Sequence, residues 1–181
     1  MNIHARAALC AVALALAPAA TAEAAPGGGT QAPEPEAPAP TAAPLAHATL
    51  ASDGRTALAP AGAPVAIQRA IAAANRINRK PYRYGGGHAR FRDSGYDCSG
   101  TVSYVLHAAG VLRRPRASGD LMRFGRAGHG TWITVYANGG HAYMVIAGLR
   151  FDTSGPGPSG PRWRSVKRSS SGYVARHPAG L

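Results

Sequence analysis

Cysteine and acidic residues are both scarce in this chain. Only two of its 181 residues are cysteine and eight are acidic, against 20 lysines and arginines, for a formal net charge of +12. Cys10 lies in an apolar run near the N-terminus, and Cys98 lies in the body of the chain. If the N-terminal run is removed, Cys98 is the only thiol left, and an internal disulfide is excluded. An unpaired cysteine in an oxidising compartment is either well buried or used chemically.

Long apolar runs are also missing. Arg6 precedes an apolar stretch over 7–17, and small residues follow it up to Ala24, a pattern typical of a signal peptide over 1–24. The stretch is about half of the roughly 20 residues that a membrane-spanning helix needs, and no later segment comes closer. We therefore expect a secreted, extracellular or cell-wall associated protein without a transmembrane segment. Leu9, where a small residue would be required, argues against lipidation of Cys10.

Large side chains are rare between the signal peptide and the rest of the chain. Residues 25–64 contain no aromatic residue and only three leucines among many Ala, Pro, Gly and Thr. Such a composition buries too little surface to offset the entropy of ordering, so we predict a disordered linker over 25–64. The folded domain is predicted over 65–181. Its tail from about residue 154 shows no clear element, although Trp163 and Tyr173 are candidate packing anchors.

The positive charge is concentrated in the predicted domain. From Val65 onward there are 18 lysines and arginines against 4 acids. A surface of this sign attracts polyanions, and in an exported protein these are anionic wall polymers or lipid surfaces. We predict no nucleic-acid partner, because few aromatic residues interleave with the arginines and no recognition motif is present. A GC-rich coding background explains many of the arginines equally well.

Hydrophobic periodicity predicts two helices. Apolar residues recur at helical spacing from Ile67 to Ile77, and Pro81 ends the run. A second helix is predicted from Cys98 to Ala109, with Asp97 as its N-cap and Gly110 as its stop signal.

Three strands follow an irregular region over 111–130. They are predicted at 132–136, at 142–146 and around 149–153, with glycine-containing turns between them. Helices followed by antiparallel strands indicate an α+β fold in which the helices pack on one side of a small sheet.

The strongest chemical candidate is Cys98. As the first residue of the second helix, it lies where unsatisfied N–H groups and the helix dipole stabilise a thiolate. It shares a stripe with Val102, Val105, Leu106 and Ala109, so its sulfur is predicted to face the sheet. The alternative is that Cys98 is simply a small buried hydrophobic residue.

A nucleophilic thiol needs a base, and His141 is the best placed histidine. It follows Gly139-Gly140 and opens an apolar strand, a rigid position for an imidazole, although an ordinary hairpin histidine is the alternative. His107 is half a turn out of phase with Cys98. The remaining histidines of the domain, in Gly or Pro surroundings, are predicted to be solvated surface residues: His88, His129 and His177.

Motifs for metals and phosphate loops are absent. No His and Cys residues stand at metal-ligand spacing, and Gly85-Gly86-Gly87 lacks the Lys-Ser or Lys-Thr of a phosphate loop. We therefore expect neither a metal nor an organic cofactor.

Three motifs together resemble the NlpC-type cell-wall cysteine peptidases. They are Pro-Tyr-Arg-Tyr-Gly-Gly over 81–86, Tyr-Asp-Cys-Ser-Gly over 96–100, and the Gly140-His141 pair that opens a strand. The resemblance covers roughly 67–153. It implies a papain-like α+β core and hydrolysis of amide bonds in peptidoglycan stem peptides, with Cys98 as nucleophile and His141 as base.

The same resemblance implies further site residues. Tyr82 is expected beside the thiol, where it binds substrate or completes the oxyanion site, and Ser99 is a second candidate for substrate binding. A tyrosine that only packs near the sheet is the alternative for Tyr82.

The chain departs from the family pattern at the residue that orients the histidine. The family has a His, Asn or Gln about a dozen residues after the catalytic histidine, whereas Thr153 stands there in this chain, with Asp152 just before it. Spacing favours Thr153, while chemistry favours the carboxylate of Asp152. Adjacent strand residues face opposite ways, so only one of them is expected to orient His141.

This departure keeps a second function open. The alternative to a monomeric peptidoglycan hydrolase is a catalytically weak or inactive protein of the same fold that binds the wall. Acyl transfer instead of hydrolysis is also compatible with a cysteine and histidine pair.

Overall fold

A computed structural model describes residues 47–165 and 168–181. The predicted signal peptide, Cys10 and the linker up to residue 46 lie outside the described residues. The elements in chain order are β1 (Thr49–Leu50), β2 (Ala57–Leu58), α1 (Val65–Ile77), α2 (Cys98–Ala108), α3 (Ser118–Leu121), β3 (Arg126–Ala127), β4 (Ile133–Ala137), β5 (Ala142–Ile146), β6 (Leu149–Asp152), β7 (Arg162–Arg164) and β8 (Val174–His177).

The two main helices form where the periodicity predicts them. Helix α1 starts after Pro64 and buries its predicted apolar stripe, including Ile67 and Ile71. Helix α2 is capped by Asp97, whose side chain accepts a hydrogen bond from the backbone N–H of Gly100. Gly110, just after α2, has φ +82°, a conformation that glycine adopts without strain. Local signals are therefore sufficient to specify both helices.

A six-stranded antiparallel sheet carries the rest of the core. Its strand order is β3-β8-β4-β5-β6-β7. Side chains alternate along the central strands, so Val135, Met144 and Phe151 are fully buried and contribute to the same hydrophobic core as the two helices. Helix α2 packs on α1 and on β5. The predicted α+β class is confirmed, with helices packed on an antiparallel sheet and Cys98 at the start of a helix.

The linker prediction is wrong for the part that the structure describes, residues 47–64. Strands β1 and β2 form a hairpin there, and Ala48, Ala57 and Ala63 are buried in the core. Asn75 of α1 exchanges two side-chain hydrogen bonds of 2.9 Å with the backbone of Ala57. Small alanines pack well when a neighbouring helix supplies both the apolar surface and the hydrogen-bond partners, which composition alone does not reveal.

The region 111–130 and the tail also contain elements that the sequence did not predict. Helix α3 and strand β3 lie in the first, and strands β7 and β8 lie in the second. Trp163 of β7 is buried against Phe151, with ring centroids 4.7 Å apart, as expected for a packing anchor. These strands are short and rich in arginine, and pairing with partners distant in sequence stabilises them. No helix in the described part of the chain is long and apolar enough to cross a membrane.

Candidate active site

The glycine loop and the start of α2 are held together by backbone hydrogen bonds. The N–H of Tyr96 donates to the carbonyl of Pro81 at 3.1 Å, and the N–H of Asp97 donates to the carbonyl of Gly86 at 3.3 Å. A Cβ on Gly100 would lie 1.9 Å from the carbonyl oxygen of Gly86, so only glycine permits this approach. The two glycine-containing motifs thus form one unit at the start of the helix.

The side chain of Asp97 joins four groups at this helix start. Its Oδ1 accepts from the N–H of Gly100 at 2.7 Å and from the hydroxyl of Ser99 at 3.2 Å, and its Oδ2 accepts from the N–H of Gly85 at 3.0 Å. Nε2 of His88 lies 3.0 Å from Oδ1. The prediction that His88 is a solvated surface residue is wrong, since its side chain is only 28% exposed. The loop bonds described above position it.

Cys98 is 9% exposed, and its thiol lies beside His141 and beside Ala142, the first residue of β5. Burial raises the pKa of the thiol, but hydrogen bonds from His141 and from the backbone N–H of Ala142 lower it. The positive charge of His141 lowers it further, and the resulting pKa is below the ordinary value for cysteine. The geometry therefore favours a thiolate over a buried, inert thiol.

The turn before β5 fixes the position of His141. The side chain of Asn138 accepts hydrogen bonds from the backbone N–H groups of Gly140 and His141, at 3.0 and 2.8 Å. Nε2 of the imidazole lies 2.9 Å from Oδ1 of Asp152, which leaves Nδ1 for the thiol of Cys98. Burial lowers the pKa of His141, but the bonds and charges of Asp152 and Cys98 outweigh it and raise this pKa to about 9.

Of the two candidates for orienting the imidazole, the structure places Asp152 against His141. The strand register extends so that Asp152 lies opposite Tyr143, on the sheet face that His141 shares. Thr153 is also buried, but it contributes to the wall of a cavity beside His141. The structure therefore brings Cys98, His141 and Asp152 together, with His141 between the thiol and the carboxylate.

Residues that the sequence did not indicate surround the carboxylate of Asp152. Its Oδ1 accepts from the N–H and the hydroxyl of Ser154 at 2.9 and 3.1 Å, and its Oδ2 accepts from Nη1 of Arg168 at 3.1 Å. Nε of Arg150 lies 3.7 Å from Oδ2. Burial raises the pKa of Asp152, but the bonds from His141 and Ser154 and the charges of His141 and Arg168 bring it below its usual range.

Arg168 is held in place by two tyrosines. Its Nη2 donates to the hydroxyl of Tyr173 at 2.7 Å, and its guanidinium lies 5.3 Å from the ring centroids of both Tyr143 and Tyr173. This accounts for Tyr173 as an anchor of the tail. Nothing in the local sequence signals the role of Arg168, because its contact with Asp152 depends on the path of the tail over the sheet.

Two cavities open beside the Cys98 and His141 pair, and Tyr82 lines both. The first, of about 560 Å³, is also lined by Cys98 and Ser99, and the second, of about 420 Å³, by His141 and Thr153. Tyr82 is 43% exposed. Burial raises the pKa of its hydroxyl, and the negative charges of Cys98 and Asp97 raise it further. The structure thus places both predicted binding residues, Tyr82 and Ser99, at the cavity that contains the thiol.

The arrangement has the elements of thiol-dependent acyl transfer. It combines a thiol with a lowered pKa, an imidazole with a raised pKa, and a carboxylate that holds the imidazole. In the part of the chain that the structure describes, no group of three or more His, Cys, Asp and Glu residues could hold a metal ion.

Two solved structures are similar to this chain. One is the P60 domain from the M. avium subspecies paratuberculosis antigen MAP1204, with 26% identity and a TM-score of 0.47 over 61% of this chain and 93% of that chain. The other is Rv1477, a hypothetical invasion protein of Mycobacterium tuberculosis, with 22% identity and a TM-score of 0.46 over 61% of each chain. No protein-family model and no curated protein matches the sequence.

Proposed function

We propose that this protein is a secreted peptidoglycan hydrolase of the NlpC type, a cysteine endopeptidase that cuts amide bonds in stem peptides. The observation that carries the proposal is the position of His141 between the thiol of Cys98 and the carboxylate of Asp152, beside an open cavity. A cysteine that served only for packing would need neither a charged partner nor an exit to solvent.

The first half of the reaction uses the thiolate and the imidazolium. The sulfur of Cys98 attacks the carbonyl carbon of the scissile amide, and the carbonyl oxygen becomes an oxyanion. Asp97 already uses the N–H groups of Gly100 and Thr101. The N–H groups of Cys98 and Ser99 in the same helical turn remain to stabilise the oxyanion. Collapse of the tetrahedral intermediate breaks the C–N bond.

His141 then acts as acid and as base. Its imidazolium gives a proton to the leaving amine, which frees the first product and leaves an acyl-enzyme on Cys98. The neutral imidazole next takes a proton from water, and the hydroxide formed displaces the thiolate from the acyl carbon. Asp152 holds the ring throughout and stabilises its charged form.

The choice of substrate rests on the motifs and on the surface charge. The three motifs over 81–141 resemble those of the NlpC-type peptidases, and the predicted signal peptide over 1–24 supports export of the mature protein. Tyr82 and Ser99 line the wider cavity and are proposed to bind the peptide. We propose that the protein acts as a monomer and that its positive charge assists contact with anionic wall polymers.

The proposal is tested by digesting purified peptidoglycan with the mature protein. Cys98→Ala removes the nucleophile. Cys98→Ser replaces the thiol by a hydroxyl of similar volume and serves as a folding control. We expect soluble peptide fragments from the wild type alone, and their masses identify the bond that is cut. Fragments joined to an added amine would indicate acyl transfer instead of hydrolysis.

A wild-type protein that releases no peptide fragments would contradict the proposal. If the wild type released no more fragments than Cys98→Ala, yet both proteins sedimented with the wall, the chain would be a wall-binding protein without turnover. The basic surface is the observation that favours this second function.

A further inference from the structure

A cavity of about 400 Å³ at the edge of the sheet is surrounded by arginines. Strand β7 contributes Arg162 and Arg164, the β1–β2 hairpin contributes Arg55, and the residue pair after α1 contributes Asn78 and Arg79. No acidic residue is among those that line it. Four arginines from three separate parts of the fold therefore line one space, and no acidic residue lines it with them.

The protein supplies little negative charge to these arginines. The carboxylate of Asp53 is nearby, but it already accepts hydrogen bonds from the backbone N–H groups of Arg55 and Thr56. The carboxylate of Asp152 is shared among His141 and other groups of the active site. Asp53 and Asp152 therefore offset the positive charge of the four arginines only in part.

The excess of positive over negative charge is clearest at Arg164. It stands directly opposite Arg150 on the neighbouring strand, a cross-strand pair of like charges. Its Nε and Nη2 are buried without a hydrogen-bond partner in the structure. Burial lowers the pKa of Arg164, and the nearby Arg150 and Arg162 lower it further, against the opposite influence of Asp152. Repulsion among these like charges costs stability, so stability alone does not explain why they are grouped.

We propose that this cavity binds a phosphate group of a polyvalent or polymeric ligand. Guanidinium groups match phosphate oxygens in pairs of parallel hydrogen bonds, and Arg55 and Arg79 are exposed and make no side-chain hydrogen bond within the described residues. The lining offers only Trp163 and Pro158 as apolar partners, which is too little for a hydrophobic ligand. The phosphate belongs either to a phosphodiester wall polymer or to a phospholipid headgroup, which share this chemistry.

The position of the cavity gives it a relation to the active site. One loop lies between them: Pro158 lines the arginine cavity, while Gly157 and Ser159 line the cavity that contains His141. A polymer held by its phosphate at the sheet edge therefore lies one loop away from the cleft. The binding site itself does not depend on the proposed hydrolysis.

Binding is measured by titrating inorganic phosphate and pyrophosphate into the mature protein at constant ionic strength, with chloride as the balancing anion. The variant Arg55→Gln/Arg79→Gln removes two exposed arginines whose side chains make no hydrogen bond in the structure. The matched control Arg113→Gln/Arg114→Gln removes the same charge from an exposed loop elsewhere. We expect the first variant to bind pyrophosphate at least tenfold more weakly, and the control to bind as the wild type does.

Equal weakening in both variants would overturn the proposal, because it would show a general effect of charge. The same conclusion would follow if phosphate bound no better than chloride. Circular dichroism of both variants checks that they fold, and release of soluble fragments from peptidoglycan should be unchanged in either, so that failure of binding and failure of hydrolysis are distinguished.

A second arm identifies the source of the phosphate. The wild type and both variants are mixed with poly(glycerol phosphate), with vesicles of phosphatidylglycerol and with vesicles of phosphatidylcholine. Retention on the polymer that is lost only in Arg55→Gln/Arg79→Gln assigns the site to a wall polymer. Retention on phosphatidylglycerol vesicles that is lost only in Arg55→Gln/Arg79→Gln assigns the site to a lipid headgroup. Retention on neither the polymer nor these vesicles would contradict a polymeric or lipid ligand.

Discussion

Nε2 of His141 lies 2.9 Å from Oδ1 of Asp152, a carboxylate whose side chain is completely buried. The contact joins the end of β6 to the turn before β5, and it favours the charged form of the imidazole. Because the charged imidazole in turn favours the thiolate of Cys98, the charges of the three residues are coupled and respond to pH as a unit.

The orienting role of Asp152 is tested by Asp152→Asn beside Thr153→Val. The asparagine removes the charge but keeps a side chain of the same shape, so we expect kcat/KM on peptidoglycan fragments to fall by about a hundredfold or more. Thr153→Val should change it by less than about threefold. The opposite ranking would make Thr153 the orienting residue.

The same substitution should narrow the pH range of activity. The imidazolium is present below the pKa of His141, which is about 9, so activity in the wild type is expected to decline as the pH rises through that value. Asp152 is a main cause of the raised pKa, so Asp152→Asn should move the alkaline limb to lower pH. A limb that stays near pH 9 in the variant would contradict this account.

The state of Cys98 is measured by its rate of alkylation with iodoacetamide as a function of pH. Since the thiol has a lowered pKa, the alkylation rate of the wild type should reach its midpoint at a lower pH than that of a free cysteine. His141→Ala removes a hydrogen bond and a positive charge while burial remains, so the midpoint should rise by about one unit or more. His129→Ala, at an exposed position, is the matched control and should leave the midpoint unchanged.

Arg168 is expected to be a positioning residue that acts through Asp152. Arg168→Gln removes one donor and one positive charge from the carboxylate, so kcat should fall by about tenfold while KM stays near the wild-type value. Because the charge of Arg168 lowers the pKa of Asp152, the acid limb of activity should move to higher pH. Arg168→Lys should restore the acid limb, whereas a purely structural role would predict no shift of the limb in either variant.

Asp97 has separable effects on stability and on the thiol. Asp97→Ala removes the N-cap acceptor of α2, which costs about 1 kcal/mol and should lower Tm by about 3 °C or more. Asp97→Asn keeps an acceptor oxygen and should retain most of the stability. Since the charge of Asp97 raises the pKa of Cys98, the asparagine variant should alkylate at lower pH than the wild type. If Asp97→Asn proved as unstable as Asp97→Ala, the capping role of Oδ1 would be refuted.

The sequence predicts the parts of this protein whose signals are local. Helix α2 and Cys98 follow from a cap, an apolar stripe and a glycine within the fourteen residues 97–110, and strand β5 with His141 follows from an alternating pattern after a turn. The sequence leaves Asp152 and Thr153 open, because spacing and chemistry disagree. Only the strand register shows which of the two lies on the face of His141.

The rest depends on contacts between distant residues. Arg168 bonds to Asp152 from a tail whose sequence has no periodicity. The hairpin at 49–58 is stable because it packs on α1 and hydrogen-bonds to Asn75. His88 is a surface residue by its local sequence, yet its partners Asp97 and Ser99 lie nine and eleven residues further along the chain. Such contacts cannot be predicted from a single segment, because the local sequence around each partner has no feature that indicates the contact.

The close approach of Gly100 to Gly86 has a consequence for how substrate enters. The loop with Tyr82 and the helix with Cys98 are in backbone contact at this point, so the proposed binding side chain and the proposed nucleophile are held together. A flexible lid at this place would have to be ordered anew at each encounter. Here the entropy of that ordering is lost once, when the chain folds, and the peptide meets a cleft that is already assembled.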